Sequence, residues 1–299
     1  MTIGLPRALL YYRYGELWET FFTSLGCDIA HGGVTAAELD GDCGAAGECC
    51  LPAKIYMGSV RSLLGRCDYI LSPYARRSHG GDNICLRFWG ICDAARNTYG
   101  NARLLEYAVS DGAVRYGEFH KMGKRLGKSS RAIRDAFDGA AAAQERHDAR
   151  ERDAQEQRRH GDDIKVLVAG RPYVTRDPHI GGAVVKLLAG QGCVPFYSDR
   201  FDRQYSMESA AELSPRLYWT SSRESIGAIA AHSREMDGVL LLTSFPCAHD
   251  ALANEMALRS MRDVPAAQIT LDGLRGEAGL ETRIESFVDI LRLRRRSNG

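Results

Sequence analysis

Nine cysteines are the most chemically suggestive residues of this 299-residue chain, at positions 27, 43, 49, 50, 67, 85, 92, 193 and 247. The opening stretch, MTIGLPRALLYYRYG, lacks the basic-then-apolar order of a secretion signal and reads as a first strand. The expected compartment is the cytoplasm, where disulfides are disfavoured, and an odd number of thiols cannot pair completely. Context then separates the thiols. Cys27 and Cys193 each follow a glycine at a helix-to-strand turn, and Cys67 ends a helix before a strand, so all three read as small buried hydrophobes. Cys50, in Glu48-Cys49-Cys50-Leu51-Pro52-Ala53-Lys54, stands before a proline suited to a first helical turn. Cys85 follows a Gly-rich loop after a strand at 68–73, and Cys247, in Phe245-Pro246-Cys247-Ala248-His249-Asp250, directly follows a strand at 238–243. Parallel sheets carry their functional groups in such strand-end loops. Three thiols from three of these loops can converge between two domains, and thiolates are the ligands that iron–sulfur clusters require. Zinc is the rival metal, but its structural sites favour Cys-x-x-Cys pairs and the chain has none. His249, two residues after Cys247, reads either as a neighbour of such a centre or as a polar residue capping the loop.

Other chemistries fare worse. Gly127-Lys128-Ser129 has the ending of a phosphate-binding loop, but Met122 stands where that loop needs its first glycine, and a charged helical stretch precedes it instead of a strand. No Gly-x-Gly-x-x-Gly follows a leading strand, and Asp42-Cys43-Gly44 lacks the context of an actin-like ATPase loop. No Gly-x-Ser-x-Gly elbow is present, and His120, His147 and His160 fall in a charged stretch where solvated imidazoles are expected.

The elements that must position the cysteines follow a repeated pattern. Ile3-Gly4-Leu5-Pro6-Arg7, a helical pattern and Gly26-Cys27 are echoed by a β-branched run from Ile164, Gly170-Arg171-Pro172-Tyr173, a helical pattern and Gly192-Cys193. Gly4 to Cys27 and Gly170 to Cys193 are both 23 residues apart. Each half continues with an Asp-led apolar strand, Asp68-Tyr69-Ile70-Leu71 and Asp237-Gly238-Val239-Leu240. Strand, loop, helix, strand is βαβ grammar, so the expected fold is α/β: two similar Rossmann/flavodoxin-like domains with parallel sheets, joined by a charged helical linker. The expected boundaries are 1–105, 106–162 and 163–299, with residues 101–144 reading as helix-forming and 145–163 holding twelve charged residues among nineteen. Leu280, Ile284, Phe287, Val288 and Leu291 recur at helical spacing and read as the core face of a last helix.

Composition excludes other classes. The chain is 44% apolar and 26% charged, with 39 basic and 38 acidic residues giving a net charge of +1, so no global field draws nucleic acid or an anionic membrane. No apolar run approaches the roughly 18–20 residues of a membrane span.

The stretches IGLPRALLYYRYGELWETFFTSLGC, ECCLPAK, CDYILSPY, GRPYVTRDP, RLYWTS, SFPCAHDALANE and GLETRIESFVDIL together resemble the acyl-CoA dehydratase activase-related proteins. Those proteins are relatives of the iron–sulfur subunits of 2-hydroxyacyl-CoA dehydratases and benzoyl-CoA reductases. The resemblance implies a [4Fe–4S] cluster between two α/β domains, with Cys50, Cys85 and Cys247 as its ligands. It also implies a separate ATP-hydrolysing activase as electron donor, and an acyl-CoA or other small molecule as substrate. Where the family usually has Cys-Gly-Pro-Asp this chain reads Cys247-Ala248-His249-Asp250, and Leu86 replaces the proline common after the middle cysteine. Cys49, Cys92 and His249 are alternatives for the fourth iron position, which is otherwise open to water or substrate. Two other roles remain: an accessory or scaffold protein of such a system, and a zinc-stabilised binding protein.

Overall fold

A computed structural model describes residues 1–40, 49–75, 84–109, 115–214, 217, 219–261, 263–272 and 277–298. Asp42-Cys43-Gly44 and Glu48, the Gly-rich loop before Cys85 at 76–83, and Arg216 and Tyr218 of the stretch RLYWTS lie outside the described residues. The chain divides into two compact units, Met1–Ala149 and Arg150–Gly299.

The first unit runs β1 (Thr2–Pro6), α1 (Tyr11–Ser24), β2 (Asp28–Gly32), α2 (Ala36–Asp40), α3 (Leu51–Leu63), β3 (Tyr69–Tyr74), α4 (Leu86–Thr98), β4 (Leu104–Ala108) and α5 (Tyr116–Arg125). The long helix α6 (Ser130–Gln157) contains the division between the units. The second unit runs β5 (Ile164–Ala169), α7 (Pro172–Thr175), α8 (Gly181–Gly190), β6 (Cys193–Tyr197), α9 (Arg203–Leu213), α10 (Thr220–His232), β7 (Gly238–Ser244), α11 (Ala248–Ser260), β8 (Ala266–Leu271) and α12 (Glu277–Asn298). The sheets are ordered β2-β1-β3-β4 and β6-β5-β7-β8, and every pairing is parallel. Both units therefore have the same doubly wound order, with a switch point between the first and third strands.

Burial explains the strand patterns. β7, Gly-Val-Leu-Leu-Leu-Thr-Ser, is buried along its whole length, as a central parallel strand covered on both faces must be. β3 holds a proline, normally excluded from a central strand. Its residues Ile70 and Tyr74 bond toward β4, so by alternation Pro73 faces β1, where pairing already stops at Gly4 and Ile70. The missing N–H at Pro73 thus has no ladder bond to lose, and β1 and β3 part at the carboxyl edge.

The internal repeat is structural at its helix-to-strand turn. Gly26 and Gly192 both adopt positive φ, +70° and +76°, which permits the left-handed helix end before β2 and β6. The glycines at the other end of the spacing are not equivalent: Gly4 lies within β1, whereas Gly170 follows β5. The equal spacing of 23 residues thus aligns the turns and not the leading strands.

The stretch after residue 101 is not helical throughout, because Leu104, Leu105 and Tyr107 are buried as β4 against β3. Phe21 of α1, Tyr107 of β4 and Phe137 of α6 each pack edge-on against Phe119 of α5, with centroids 4.8–5.2 Å from it. Gly127-Lys128-Ser129 is a helix-to-helix turn. Lys128 N–H donates to Gly123 O at the end of α5, and Ser129 Oγ accepts from Ala132 N–H at the start of α6.

The charged segment also buries two amides. In the first unit, Gln144 Oε1 accepts from Leu17 N–H (3.0 Å) and its Nε2 donates to Arg13 O (3.1 Å). In the second, Gln155 Oε1 accepts from Tyr197 N–H (2.7 Å) and its Nε2 donates to Tyr197 O (3.3 Å), so one side chain pairs with the edge strand β6 as another strand would. Arg13 O and Leu17 N–H lie four residues apart in α1, the spacing of an ordinary helical hydrogen bond, whereas Tyr197 is on the edge strand β6, where no further strand is paired among the described residues. Gln155→Ala is therefore expected to cost about 1–3 kcal/mol and Gln144→Ala less, in urea unfolding at neutral pH. Equal costs would refute this account.

Candidate functional site: the cysteine-capped sheet edges

Each helix between parallel strands runs back against the sheet, so the N-termini of α3, α4, α10 and α11 lie at the carboxyl edges. Cys50 is the N-cap residue of α3, Cys85 that of α4 and Cys247 that of α11. All three sit where unpaired backbone N–H groups and the helix dipole favour a negative sulfur. Cys85 and Cys247 occupy the same place in their units, the start of the helix after the third strand. The place of Cys50 is taken in the second unit by Trp219, N-cap of α10.

In the first unit Cys50 extends from the backbone at φ −63° and ψ 149°, and its carbonyl accepts from Ala53 and Lys54 N–H. Burial pushes its thiol up, the Ala53 N–H pulls the other way, and Cys85 lies near enough that a second thiolate there raises it further. Beside Cys85, Leu86 and Trp89 are 73% and 51% exposed, unusual for large apolar side chains. Cys49 is half-buried next to Cys50.

Cys92 is placed differently. It is buried beneath β3, where its Sγ donates to Ser72 O (3.2 Å) and accepts from Ser72 Oγ (3.0 Å). Ser72 Oγ also bonds Tyr56 Oη at 2.7 Å. Burial pushes the Cys92 thiol up to about 11, so it is a packed thiol within a closed polar network. Cys27 and Cys193 are buried as well, and Cys67 is half-buried with its thiol donating to Leu63 O.

In the second unit a charge network underlies the cysteine. Arg171, in the loop after β5, is only 4% exposed. Its Nε and Nη2 each reach Asp250 Oδ1 at 2.9 Å, and its Nη1 donates to Tyr173 Oη at 2.7 Å. Ser222 Oγ, near the start of α10, donates to the same Asp250 oxygen at 3.3 Å. Burial opposes the charge on Arg171, yet Asp250 and Tyr173 hold the guanidinium more firmly protonated than usual. Asp250 stands three residues into α11 from Cys247, so both its N–H and its carboxylate reach the sulfur. Burial and then the Asp250 carboxylate push that thiol up to about 12, against the pull of Arg171. His249 packs edge-on against Trp219 with centroids 4.4 Å apart, and burial and Arg171 lower its pKa.

Sequence reading assigned no role to Arg171 or Asp250, although an arginine in the loop after a leading strand is a local signal. A third group also escaped it: Glu19 Oε1 accepts from Tyr11 Oη (2.5 Å) and contacts His31 Nε2 (2.8 Å). Burial raises Glu19, but hydrogen bonds from Tyr11 and His31 hold its carboxylate below the ordinary range. Among the described residues no three His, Cys, Asp or Glu side chains are gathered closely enough to hold a metal ion. No described helix is long and apolar enough to cross a membrane.

Two all-parallel sheets of the same strand order, with thiols at helix starts on their carboxyl edges, define a tandem of Rossmann/flavodoxin-like α/β units. The chain belongs to the family described as the CoA enzyme activase uncharacterised domain, whose model matches residues 2–201. Cys50 and Cys85 lie inside that match and Cys247 beyond it. No curated protein matches the chain.

Proposed function

We propose that the chain is an iron–sulfur redox protein that holds a [4Fe–4S] centre through Cys50, Cys85 and Cys247. It receives electrons from a separate ATP-hydrolysing activase and passes them to an acyl-CoA or other small molecule. The observation that carries this reading is the capping position shared by all three cysteines, with Cys85 and Cys247 at matching places in the two units. Membership of an activase-related family supports the choice of partner.

The chemistry of the donors, and not their spacing, suits such a centre. The set is all sulfur, each sulfur sits at a helix start, and Ala53 and Asp250 offer backbone N–H groups to the sulfurs of Cys50 and Cys247. The raised thiols of Cys50 and Cys247 are protonated without metal, so loading releases protons. When bound, the centre supplies one-electron transfer at low potential, with one iron left open by a three-cysteine set. Leu86, Trp89 and Phe245, close in sequence to Cys85 and Cys247, are large apolar side chains that stay exposed.

Anaerobic purification with iron and sulfide analysis tests the reading: about four irons and four sulfides per chain, with a brown absorption band, are expected. Stoichiometric zinc without sulfide, or no metal at all, refutes it. The isolated chain is also expected to leave ATP intact, and ATP-driven reduction is expected only with an activase added. ATP turnover that stays with the protein through successive purification steps refutes the division of labour.

A further inference from the structure

The Arg171–Asp250 pair ties the loop after β5 to the first turn of α11, and a buried charge pair is costly to maintain. Removing two ions from water costs several kcal/mol each after relaxation, and an apolar pair of similar volume is often as stable. The pair is also overbuilt. Asp250 Oδ1 takes both Nε and Nη2 of Arg171 and the Ser222 hydroxyl, and the third guanidinium nitrogen is occupied by Tyr173. Three segments therefore meet at one carboxylate, the loop after β5, the start of α10 and the first turn of α11, and Tyr173 at the start of α7 holds the arginine from its far side. That carboxylate belongs to the residue whose own N–H reaches the Cys247 sulfur. An arginine fork fixes its carboxylate in both distance and angle, which a lysine cannot do. The cavity beside it is lined by Ser221, Ser222, Ser225 and Asn254, and the Asn254 amide nitrogen is buried there without a partner.

We propose that Arg171, acting through Asp250, is the positioning residue of the Cys247 ligand: it fixes the orientation of that sulfur and sets the local charge felt by the centre, and hence its reduction potential. The proposal rests on the iron–sulfur reading above and extends it to residues outside the thiol set. With Asp250 in place the guanidinium is neutralised locally. With asparagine there, a full positive charge remains close to the sulfur and favours the reduced centre.

The test uses the anaerobically purified holoprotein and three variants, Asp250→Asn, Arg171→Lys and Ser222→Ala, with Arg176→Lys as control. Arg176 makes a comparable ion pair with Asp199 in the same unit (2.7 Å) without contact to Cys247. Iron content, thermal unfolding and the midpoint potential are read for each. Asp250→Asn is expected to keep its fold and raise the reduced-to-oxidised ratio at a fixed poise about tenfold, the size expected of one unbalanced charge at short range. A smaller shift is expected in Arg171→Lys and Ser222→Ala, and none in Arg176→Lys. Loss of iron from folded Asp250→Asn, with iron kept in Arg176→Lys, also supports the positioning role. If Asp250→Asn does not fold, the potentials of the two milder variants decide. Unchanged potentials in iron-loaded variants overturn the inference and leave the cluster reading standing, whereas a wild-type protein without iron overturns both.

Discussion

Serine at Cys50, Cys85 or Cys247 is expected to abolish iron binding, while serine at Cys27, Cys67, Cys92 or Cys193 leaves it at the wild-type level. The contrast follows from where the sulfurs sit. The first three are helix N-caps at sheet edges, half-buried and next to free backbone donors. The others are taken up by packing or by hydrogen bonds within their own unit, Cys92 by Ser72 and Cys67 by Leu63. A cluster with three protein ligands loses a third of its covalent attachment with one substitution, so the site is expected to be lost and not merely weakened. Cys92→Ser is the informative control. A hydroxyl there can still bond Ser72, so this variant is expected to keep iron and lose about 1 kcal/mol of stability or less. Iron analysis of the anaerobic variants decides the assignment. Full iron in the Cys247→Ser protein, with loss in Cys49→Ser or Cys92→Ser, would falsify it.

Gly227→Ala is expected to be the most damaging single methyl group that can be added to the second unit. Gly227 lies in α10 where that helix crosses α9, and a Cβ there would stand 1.6 Å from the Ser206 carbonyl oxygen and 2.5 Å from its carbon. The obstacle is backbone, so no side-chain rotation relieves it and the two helices must separate. Overpacking of this kind costs about 3 kcal/mol or more, a large part of a domain's stability. Gly190, at the end of α8, meets nothing within 4 Å, so Gly190→Ala is expected to be neutral or stabilising by up to about 1 kcal/mol. Urea unfolding of the two variants measures the difference. Because α10 also carries Ser222 to Asp250, Gly227→Ala should lower the iron content as well as the stability. A loss below 1 kcal/mol would show that α9 and α10 can yield at little cost.

Much of this was legible without tertiary structure. The apolar run at 238–243 and the Asp-led run at 68–73 give strands because a doubly covered parallel strand buries both faces, and that demand is written in consecutive residues. Pro52 after Cys50, and the strand-end positions of Cys85 and Cys247, mark helix starts for equally local reasons. The charged stretch 145–163 was legible as helix but not as a buried surface, because its working amide, Gln155, is isolated among charges and the other, Gln144, stands just before it. Gln155 is recognisable only from its partner Tyr197, 42 residues later.

Residue order by itself determined the two βαβ units, their parallel sheets and the three thiols at the edges, since each depends on neighbours a few positions apart. Tertiary structure alone decided which thiols are spent in packing and which charges support the site. Cys92 and Ser72 are 20 residues apart, and Arg171 and Asp250 are 79 apart. Strand and helix periodicity describe which face a residue shares with its near neighbours. They are silent on which distant side chain completes its hydrogen bonds, because that pairing is chosen by how the layers pack.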